Sequence, residues 1–277
     1  MLPGPSAPSP LNGEPVADEF VSVTSRSVSR DRRVWSTTVH RLLSHLADAR
    51  VDDLPVPLAE QLPELDEVSF VEGTTAVDVV LSRDQVESFG RLLRSLHAAG
   101  ADFDALPTDA WQPFEFRAHA PDPFSESTFL SEIVIGHGDT GPWNVLVTSA
   151  ESVSLIDWEF AGPIVRLDEI AATCWLTMRF HDPEVDAVAP LTSLQEKVEL
   201  LRAFLDAYGL ERALWPAVVQ GMSDYAIRDT AYEATRLNIS AGEAATDDSV
   251  PWRLAWRSRS AAWIIRHRAE ILHLLGV

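Results

Sequence analysis

The feature that most constrains the fold is a pair of short apolar runs, residues 145–147 and 153–156. Runs this short and this rich in β-branched and aliphatic residues predict strands, and the brief connection between them predicts an antiparallel hairpin. Pairing the last residue of the first run with the second residue of the other run would place Asn144 opposite Asp157. Both polar side chains would then leave the same open end of the hairpin.

An amide oxygen and a carboxylate that meet at one end of a hairpin form a site of hard oxygen donors. Such donors suit Mg²⁺, which keeps several waters and shares oxygens with substrate phosphates. Asp139 lies five residues before Asn144, on a loop bent by Gly138, Gly141 and Pro142. The loop brings this further carboxylate toward the metal without requiring it to be a ligand.

The stretch Ile135-Gly-His-Gly-Asp-Thr-Gly-Pro-Trp-Asn-Val-Leu-Val147, followed by Ile156-Asp-Trp-Glu-Phe-Ala-Gly162, resembles the catalytic core of protein-kinase-like phosphotransferases. With Gly138 in the middle position of the loop, it is most similar to the aminoglycoside phosphotransferase and choline kinase-like family of small-molecule kinases. The resemblance implies an α+β, bilobal protein-kinase-like fold. A small N-terminal lobe of β-sheet plus helix would precede a larger, mostly helical C-terminal lobe.

The resemblance also implies roles for individual residues. Asp139 would orient the attacking hydroxyl and accept its proton, while Asn144 and Asp157 would hold Mg²⁺ against the phosphates of ATP or GTP. His137 would brace the loop. Asp168, just before a predicted helix, is similar to a loop-bracing aspartate of the family, and His97 is more typical of a packed helix-end histidine.

Periodicity along the chain is consistent with two lobes. Alternating runs near residues 20–30 and 68–71 predict a small sheet, and apolar residues at helical spacing predict a helix over 37–49. Helical patterns dominate beyond residue 75. These patterns predict a flexible Pro-rich tail (1–15), a small nucleotide-binding lobe (16–74) and a helical catalytic and substrate lobe (75–277).

The usual nucleotide-binding groups are missing from the first of these lobes. Before residue 75 the chain has neither a lysine nor a Gly-x-Gly-x-x-Gly motif, and its only lysine is Lys197. Arg30, at the end of a predicted strand, is the best substitute for a phosphate-binding lysine, with Arg32 and Arg33 as alternatives. A solvated basic turn explains Arg30 equally well.

A second, weaker resemblance links Trp35-Ser-Thr-Thr-Val-His-Arg-Leu-Leu43 to one branch of the family. It implies that Phe70-Val-Glu-Gly73 is a hinge, where Glu72 and Gly73 would offer backbone groups to adenine. The N-terminal helix has no well-placed glutamate, and His40 either fills that position or simply packs.

Three carboxylates are candidates for contacts with the acceptor substrate. Asp229 and Glu233 are four residues apart and share a helix face, where they would bind ammonium groups or pair with Arg228 or Arg236. Glu159, two residues after Asp157, is placed near the phosphoryl group.

The net charge of the chain limits the classes of partner that it can bind. The formal net charge of −20 disfavours nucleic acid and anionic membranes and permits a cationic small molecule. A single cysteine and a start without a secretion pattern favour the cytoplasm.

The leading hypothesis is therefore a kinase that transfers the γ-phosphoryl group of a nucleoside triphosphate to a hydroxyl of a small molecule, cationic acceptors included. The alternative is a pseudokinase-like binding module that has lost the lysine and the Gly-rich loop. A two-carboxylate hydrolase is a distant third interpretation because it leaves Asn144 unexplained.

Overall fold

The computed structural model describes residues 20–59, 62–116, 131–185, 193–239 and 250–277. The predicted tail, residues 1–15, lies outside these ranges. Within them, no helix is long and apolar enough to cross a membrane.

A three-stranded antiparallel sheet opens the described chain. Its order is β1-β2-β3, and one helix, α1, follows β2. The elements are β1 (Val21–Val23), β2 (Ser27–Asp31), α1 (Ser36–Asp48) and β3 (Leu65–Ser69). The apolar stripe of α1 is buried, as its spacing predicts.

A second sheet contains the predicted hairpin. Strands β4 (Thr74–Thr75), β6 (Val145–Val147) and β7 (Val153–Leu155) pair antiparallel in the order β4-β6-β7. The chain thus passes from the first sheet to the second between Ser69 and Thr74, next to the predicted lobe boundary.

The hairpin register differs by one residue from the prediction. Val147 pairs with Val153, not with Ser154, so Asn144 faces Ile156, whose N–H donates to the Asn144 carbonyl at 2.9 Å. Directly opposed residues of an antiparallel pair point to the same face. The observed register therefore places all the odd-numbered aliphatic residues of both strands on the core face, and Asp157 lies one residue beyond the pairing.

Two further strands, β5 (Ile133–Gly136) and β8 (Gly162–Val165), form a separate antiparallel pair before and after the hairpin. Helices make up most of the remaining structure, and the most extensive helix–helix contacts join α5 to α6, α2 to α4 and α3 to α5. The helices are α2 (Arg83–Ala101), α3 (Arg166–Thr177), α4 (Leu194–Tyr208), α5 (Trp215–Arg236) and α6 (Val250–Leu275).

Local signals explain where several helices begin and end. The Ser82 hydroxyl oxygen accepts from the Gln85 N–H, and Gln85 Oε1 accepts from the Ser82 N–H. These two bonds form a capping box that starts α2. Gly209 closes α4 in the left-handed conformation. Large side chains such as Phe89, Trp175 and Phe204 are fully buried between the helices. The architecture is α+β, as expected.

Candidate active site

The loop between β5 and β6 carries Asp139 and is shaped by close backbone contacts. Gly138 has φ of 83°, a left-handed conformation, and a Cβ atom there would lie 2.2 Å from the Phe160 carbonyl oxygen. Only glycine satisfies both conditions. The glycine between His137 and Asp139 is therefore required by the approach of the segment that follows Asp157.

His137 connects the two halves of the site. Its Nε2–H donates to the Ile156 carbonyl at 2.9 Å, and its Nδ1 accepts from the Asp139 N–H at 3.3 Å. A carbonyl only accepts and an amide N–H only donates, so this pattern requires the neutral ring. Burial lowers the pKa of His137, which favours the same form. His137 thus tethers Asp139 to the residue before Asp157.

Asp139 is held by two donors at one carboxylate oxygen. Trp143 Nε1 donates to Oδ2 at 2.9 Å, and Asn144 Nδ2 donates to Oδ2 and to the Asp139 carbonyl, each at 3.0 Å. Burial, together with the nearby charges of Asp157 and Asp229, raises the pKa of Asp139 to about 6, although the Trp143 bond opposes this rise. A carboxylate with such a pKa is a stronger base than an exposed aspartate.

Asn144 and Asp157 provide the oxygen donors that a divalent cation needs. Both amide hydrogens of Asn144 are directed at Asp139, which leaves its Oδ1 as the group available to a metal. Asp157 has φ of 61° and ψ of 71°, an uncommon conformation for a non-glycine residue and one that is often found at functional sites. Its carboxylate is 41% exposed. An amide oxygen and a carboxylate fit Mg²⁺ with waters completing its shell.

A buried carboxylate braces the loop, but it is Glu169 and not Asp168. Glu169 Oε1 accepts from the Gly138 N–H at 2.7 Å, and its Oε2 lies 2.6 Å from His97 Nε2. His97 Nδ1 in turn contacts the Tyr208 hydroxyl at 2.8 Å. Despite burial, the bonds from His97 and Gly138 lower the pKa of Glu169, which keeps it ionised.

Asp168 has a different partner. Helix α3 already begins at Arg166, so Asp168 lies in its first turn rather than at its N-cap, and it forms an ion pair with Arg228. Sequence reasoning missed Glu169 because the adjacent aspartate matched the expected residue type. In the structure the two differ in burial: Glu169 is 1% exposed, whereas the Asp168 side chain is 15% exposed and pairs with a half-exposed arginine.

Arg30 reaches the site from the first sheet. Its Nη1 lies 2.7 Å from Asp157 Oδ1, although the two residues are 127 positions apart in sequence. Arg33 lines the same small cavity as Arg30, Asp157 and Glu159. Arg32 points elsewhere and donates to the Leu65 carbonyl at 3.2 Å. Arg30 is thus paired with Asp157.

Glu72 and Gly73 lie in the connection between β3 and β4, and both are exposed. A Cβ atom on Gly73 would lie 2.8 Å from the Val147 carbonyl oxygen, so this connection runs tightly against the hairpin. The predicted hinge residues thus border the strand that leads away from Asn144.

The predicted substrate carboxylates are paired with arginines. Asp229 accepts from Arg257 Nε at 2.6 Å, and Glu233 contacts Arg236 and Arg253. Arg236 is thus a partner as expected, while Arg228 pairs with Asp168. Burial raises the pKa of Asp229, and its charge contributes to the raised pKa of Asp139. Helix α5 therefore faces the loop of Asp139.

Known proteins share both the sequence pattern and this fold. Residues 114–218 match the phosphotransferase enzyme family. The trifolitoxin immunity protein of Rhizobium leguminosarum bv. trifolii is 33% identical over 255 residues, covering 90% of this chain and 93% of the relative. The chain belongs to the phosphotransferase family. The predicted resemblance to aminoglycoside phosphotransferases and choline kinases is confirmed.

Solved structures confirm the kinase-like fold of this family member. A spectinomycin phosphotransferase in complex with ADP and spectinomycin has a TM-score of 0.61 at 13% identity, covering 93% of this chain and 92% of its own. An amicoumacin kinase in complex with AMP-PNP and Ca²⁺ gives 0.65 at 11% identity, covering 92% and 89%. A choline/ethanolamine kinase family protein from Mesorhizobium loti gives 0.57 at 14% identity, covering 98% and 94%.

Proposed function

We propose that this phosphotransferase family member is a kinase that transfers the γ-phosphoryl group of ATP or GTP to a hydroxyl of a small molecule. The observation that supports this most directly is the cluster at Asp139. A carboxylate with a pKa of about 6 accepts bonds from Trp143 and Asn144 and lies close enough to Asp157 for their charges to interact.

In this proposal Asp139 orients the acceptor hydroxyl and takes its proton as the phosphoryl group is transferred. Trp143 and Asn144 both donate to Oδ2, and the Gly141 backbone also donates to this carboxylate. Oδ1, to which neither side chain donates, would receive the hydroxyl. The raised pKa suits this role because a general base works best when its pKa lies near the operating pH. His137 and Glu169 keep the loop in place.

Asn144 and Asp157 are the residues that would hold Mg²⁺. A bound Mg²⁺ neutralises charge on the nucleotide phosphates and fixes their position for in-line transfer. Arg30 would bind the phosphates in place of the missing lysine, and the backbone near Glu72 and Gly73 would bind the base. A cytoplasmic location, where nucleoside triphosphates are abundant, agrees with this use.

The acceptor would lie between Asp139 and helix α5. Glu159 lines the cavity next to Asp157, on the phosphoryl side, while Asp229 faces Asp139 from α5. Because Arg257 and Arg253 already neutralise Asp229 and Glu233, a cationic acceptor would have to displace an arginine from either carboxylate. We therefore infer that recognition depends on a positioned hydroxyl more than on ammonium groups.

Thermal unfolding with and without Mg²⁺ and nucleotide tests the nucleotide site without requiring the acceptor. Ligand at about 100-fold above its dissociation constant adds about 2.7 kcal/mol. For a chain of this size we expect a shift of roughly 5–10 °C that requires Mg²⁺. The same protein with ATP and a panel of hydroxylated compounds should then release ADP. No shift at millimolar ATP or GTP would contradict the proposal.

A second candidate is binding without phosphoryl transfer. The name of the relative specifies immunity to trifolitoxin, and sequestration of a toxin by a phosphotransferase fold would also give immunity. The Arg30–Asp157 pair supports this candidate, since an arginine on the metal-binding carboxylate competes with Mg²⁺. Acceptor binding that is unaffected by nucleotide and Mg²⁺ would favour it.

A further inference from the structure

The missing lysine raises the question of what holds Arg30, its replacement, in position. In protein kinases a strand lysine is fixed by a glutamate of the neighbouring helix. Helix α1 offers no such glutamate in the described residues. On the first sheet, the residue directly opposite Arg30 is Asp66, which belongs to strand β3.

Arg30 and Asp66 share one face of the sheet. Directly opposed residues of an antiparallel pair have Cβ atoms about 4.5–5.5 Å apart, within reach of two long or charged side chains. The charge of Asp66 acts on Arg30, in addition to those of Asp157 and Glu159. Arg30 therefore lies between the carboxylate of its own sheet and the carboxylate of the catalytic segment.

Asp66 is in turn held by helix α1 at two points. His40 Nε2 lies 2.5 Å from Asp66 Oδ1, and the Ser36 hydroxyl donates to Oδ2 at 2.9 Å. The two donors are four residues apart, so they lie on one face of the helix. Asp66 and His40 are both largely buried, with 14% and 12% of their side chains exposed. The helix is thereby fixed to the sheet through Asp66.

We propose that Asp66 and His40 are positioning residues that replace the lysine–glutamate pair: His40 fixes Asp66, and Asp66 aims Arg30 at the nucleotide phosphates. Compared with the protein-kinase pair, the carboxylate here is on the neighbouring strand instead of the helix, and the helix provides the hydrogen-bond donors to it. When Mg²⁺ occupies Asp157, Arg30 loses that partner but keeps Asp66, which holds its guanidinium at the phosphate side of the cavity. This inference rests on the proposed nucleotide site.

Titration calorimetry of the full chain with Mg²⁺ and AMP-PNP tests the proposal. Asp66→Asn keeps one acceptor oxygen for His40, and its amide NH2 can donate to the Ser36 hydroxyl, but the substitution removes the negative charge that acts on Arg30. Because Asp66 acts on Arg30 through its charge at a largely buried position, loss of that charge should raise Kd several-fold. Arg30→Lys should have a similar effect because a single ammonium cannot reproduce the guanidinium contacts. Arg32→Lys, two residues further along the chain and bonded to the Leu65 carbonyl, is the matched control and should leave Kd unchanged.

The double variant separates positioning from general stability. If Asp66 acts through Arg30, adding Asp66→Asn to Arg30→Lys should raise Kd little further. His40→Gln should weaken nucleotide binding, whereas His45→Gln should not, since His45 bonds to the Ala99 carbonyl on α2. Additive effects of the two substitutions, or an unchanged Kd for Asp66→Asn, would overturn this inference alone. Absence of nucleotide binding to the unaltered chain would overturn the proposed function and this inference together.

Discussion

The loop that carries Asp139 and the first sheet both hold charged side chains in place, but they do so in opposite environments. Glu169 and His97 are almost completely buried, at 1% and 0% exposure, and their hydrogen bonds form one chain to Tyr208. The side chains of Arg30 and Asp157 are 20% and 41% exposed, and they pair at a small cavity although they come from distant segments of the chain. A buried polar group must keep its hydrogen-bond partner, because an unpaired one is costly in free energy. A partly exposed ion can exchange its partner at low cost, because water also solvates it.

This difference assigns different tasks to the two regions. The buried chain fixes the backbone of the Asp139 loop, a geometry that must hold throughout the reaction. The exposed pair is suited to release, because Asp157 has to accept a metal and Arg30 has to accept phosphates in the proposed function. Substitutions in the first region should thus affect folding or chemistry, and those in the second should affect nucleotide binding.

The largest expected effect is on turnover in Asp139→Asn. Removal of a general base lowers kcat by about 10²–10⁴. The folded-state pKa of Asp139 is raised, so this group favours folding below its ordinary pKa and opposes folding as pH rises through about 6. At pH 7.5, without metal, the variant should be as stable as the unaltered chain, or more stable by up to about 3 kcal/mol.

Activity assays and thermal unfolding at pH 7.5 and pH 4.5 check both parts. The stability difference should shrink at the lower pH, where the unaltered carboxyl is protonated. Turnover that survives the substitution would exclude Asp139 as the base, and a large loss of stability at pH 7.5 would show that its charge is favourable.

The next effect is on stability, and two adjacent residues provide the comparison. Glu169→Ala leaves the Gly138 N–H and His97 without their shared acceptor, and breaking a buried pair in this way costs about 3–5 kcal/mol. Asp168→Asn breaks a pair with Arg228, whose side chain is 46% exposed, and should cost under about 1 kcal/mol. Urea unfolding of both variants measures the difference.

Glu169→Gln keeps the shape of the side chain, and it allows the comparison to be made even if Glu169→Ala does not fold. It should be intermediate in stability and should lower kcat, because the Gly138 backbone loses its charged acceptor. Equal stability of the variants at positions 168 and 169 would refute the assignment of the brace to Glu169.

How far the sequence predicts this molecule also differs between the two regions. The spacing of Asp139, Asn144 and Asp157 around two short strands predicts that they lie near one end of the hairpin, because the hairpin is local. The α+β fold follows instead from the family resemblance that these residues carry. The one-residue register error came from aligning the polar ends, whereas the core face of Val145, Val153 and Leu155 determines the pairing.

The long-range contacts could not be predicted in the same way. Nothing in the local pattern around Asp66 indicates that it lies opposite Arg30, since the strands are separated by α1 and its connections. The partners of Asp229 and Glu233 on α6 depend on how two helices pack, and sequence proximity suggested Arg228 instead of Arg257. Long-range pairing is determined by tertiary packing, which the periodicity of one segment does not contain.

The smallest effect expected is a shift in the pH dependence of activity. Because Asp139 must be ionised to accept a proton, kcat/KM should fall as pH drops through a value at or somewhat below about 6, with bound Mg²⁺ offsetting part of the charge of Asp157. Asp229 contributes to the raised pKa of Asp139, so Asp229→Asn should move this acidic limb to lower pH. The unpaired Arg257 left behind would act in the same direction.

Asp224→Asn, an exposed position on the same helix, is the matched control and should leave the limb in place. The comparison measures how strongly the charges of α5 affect the pKa of Asp139. If Asp229→Asn leaves the acidic limb in place, the pKa of Asp139 is raised by burial and by the charge of Asp157 alone. A limb that moves would mean that the helix facing the acceptor also tunes the base, so that acceptor groups bound near Asp229 adjust the reactivity of Asp139.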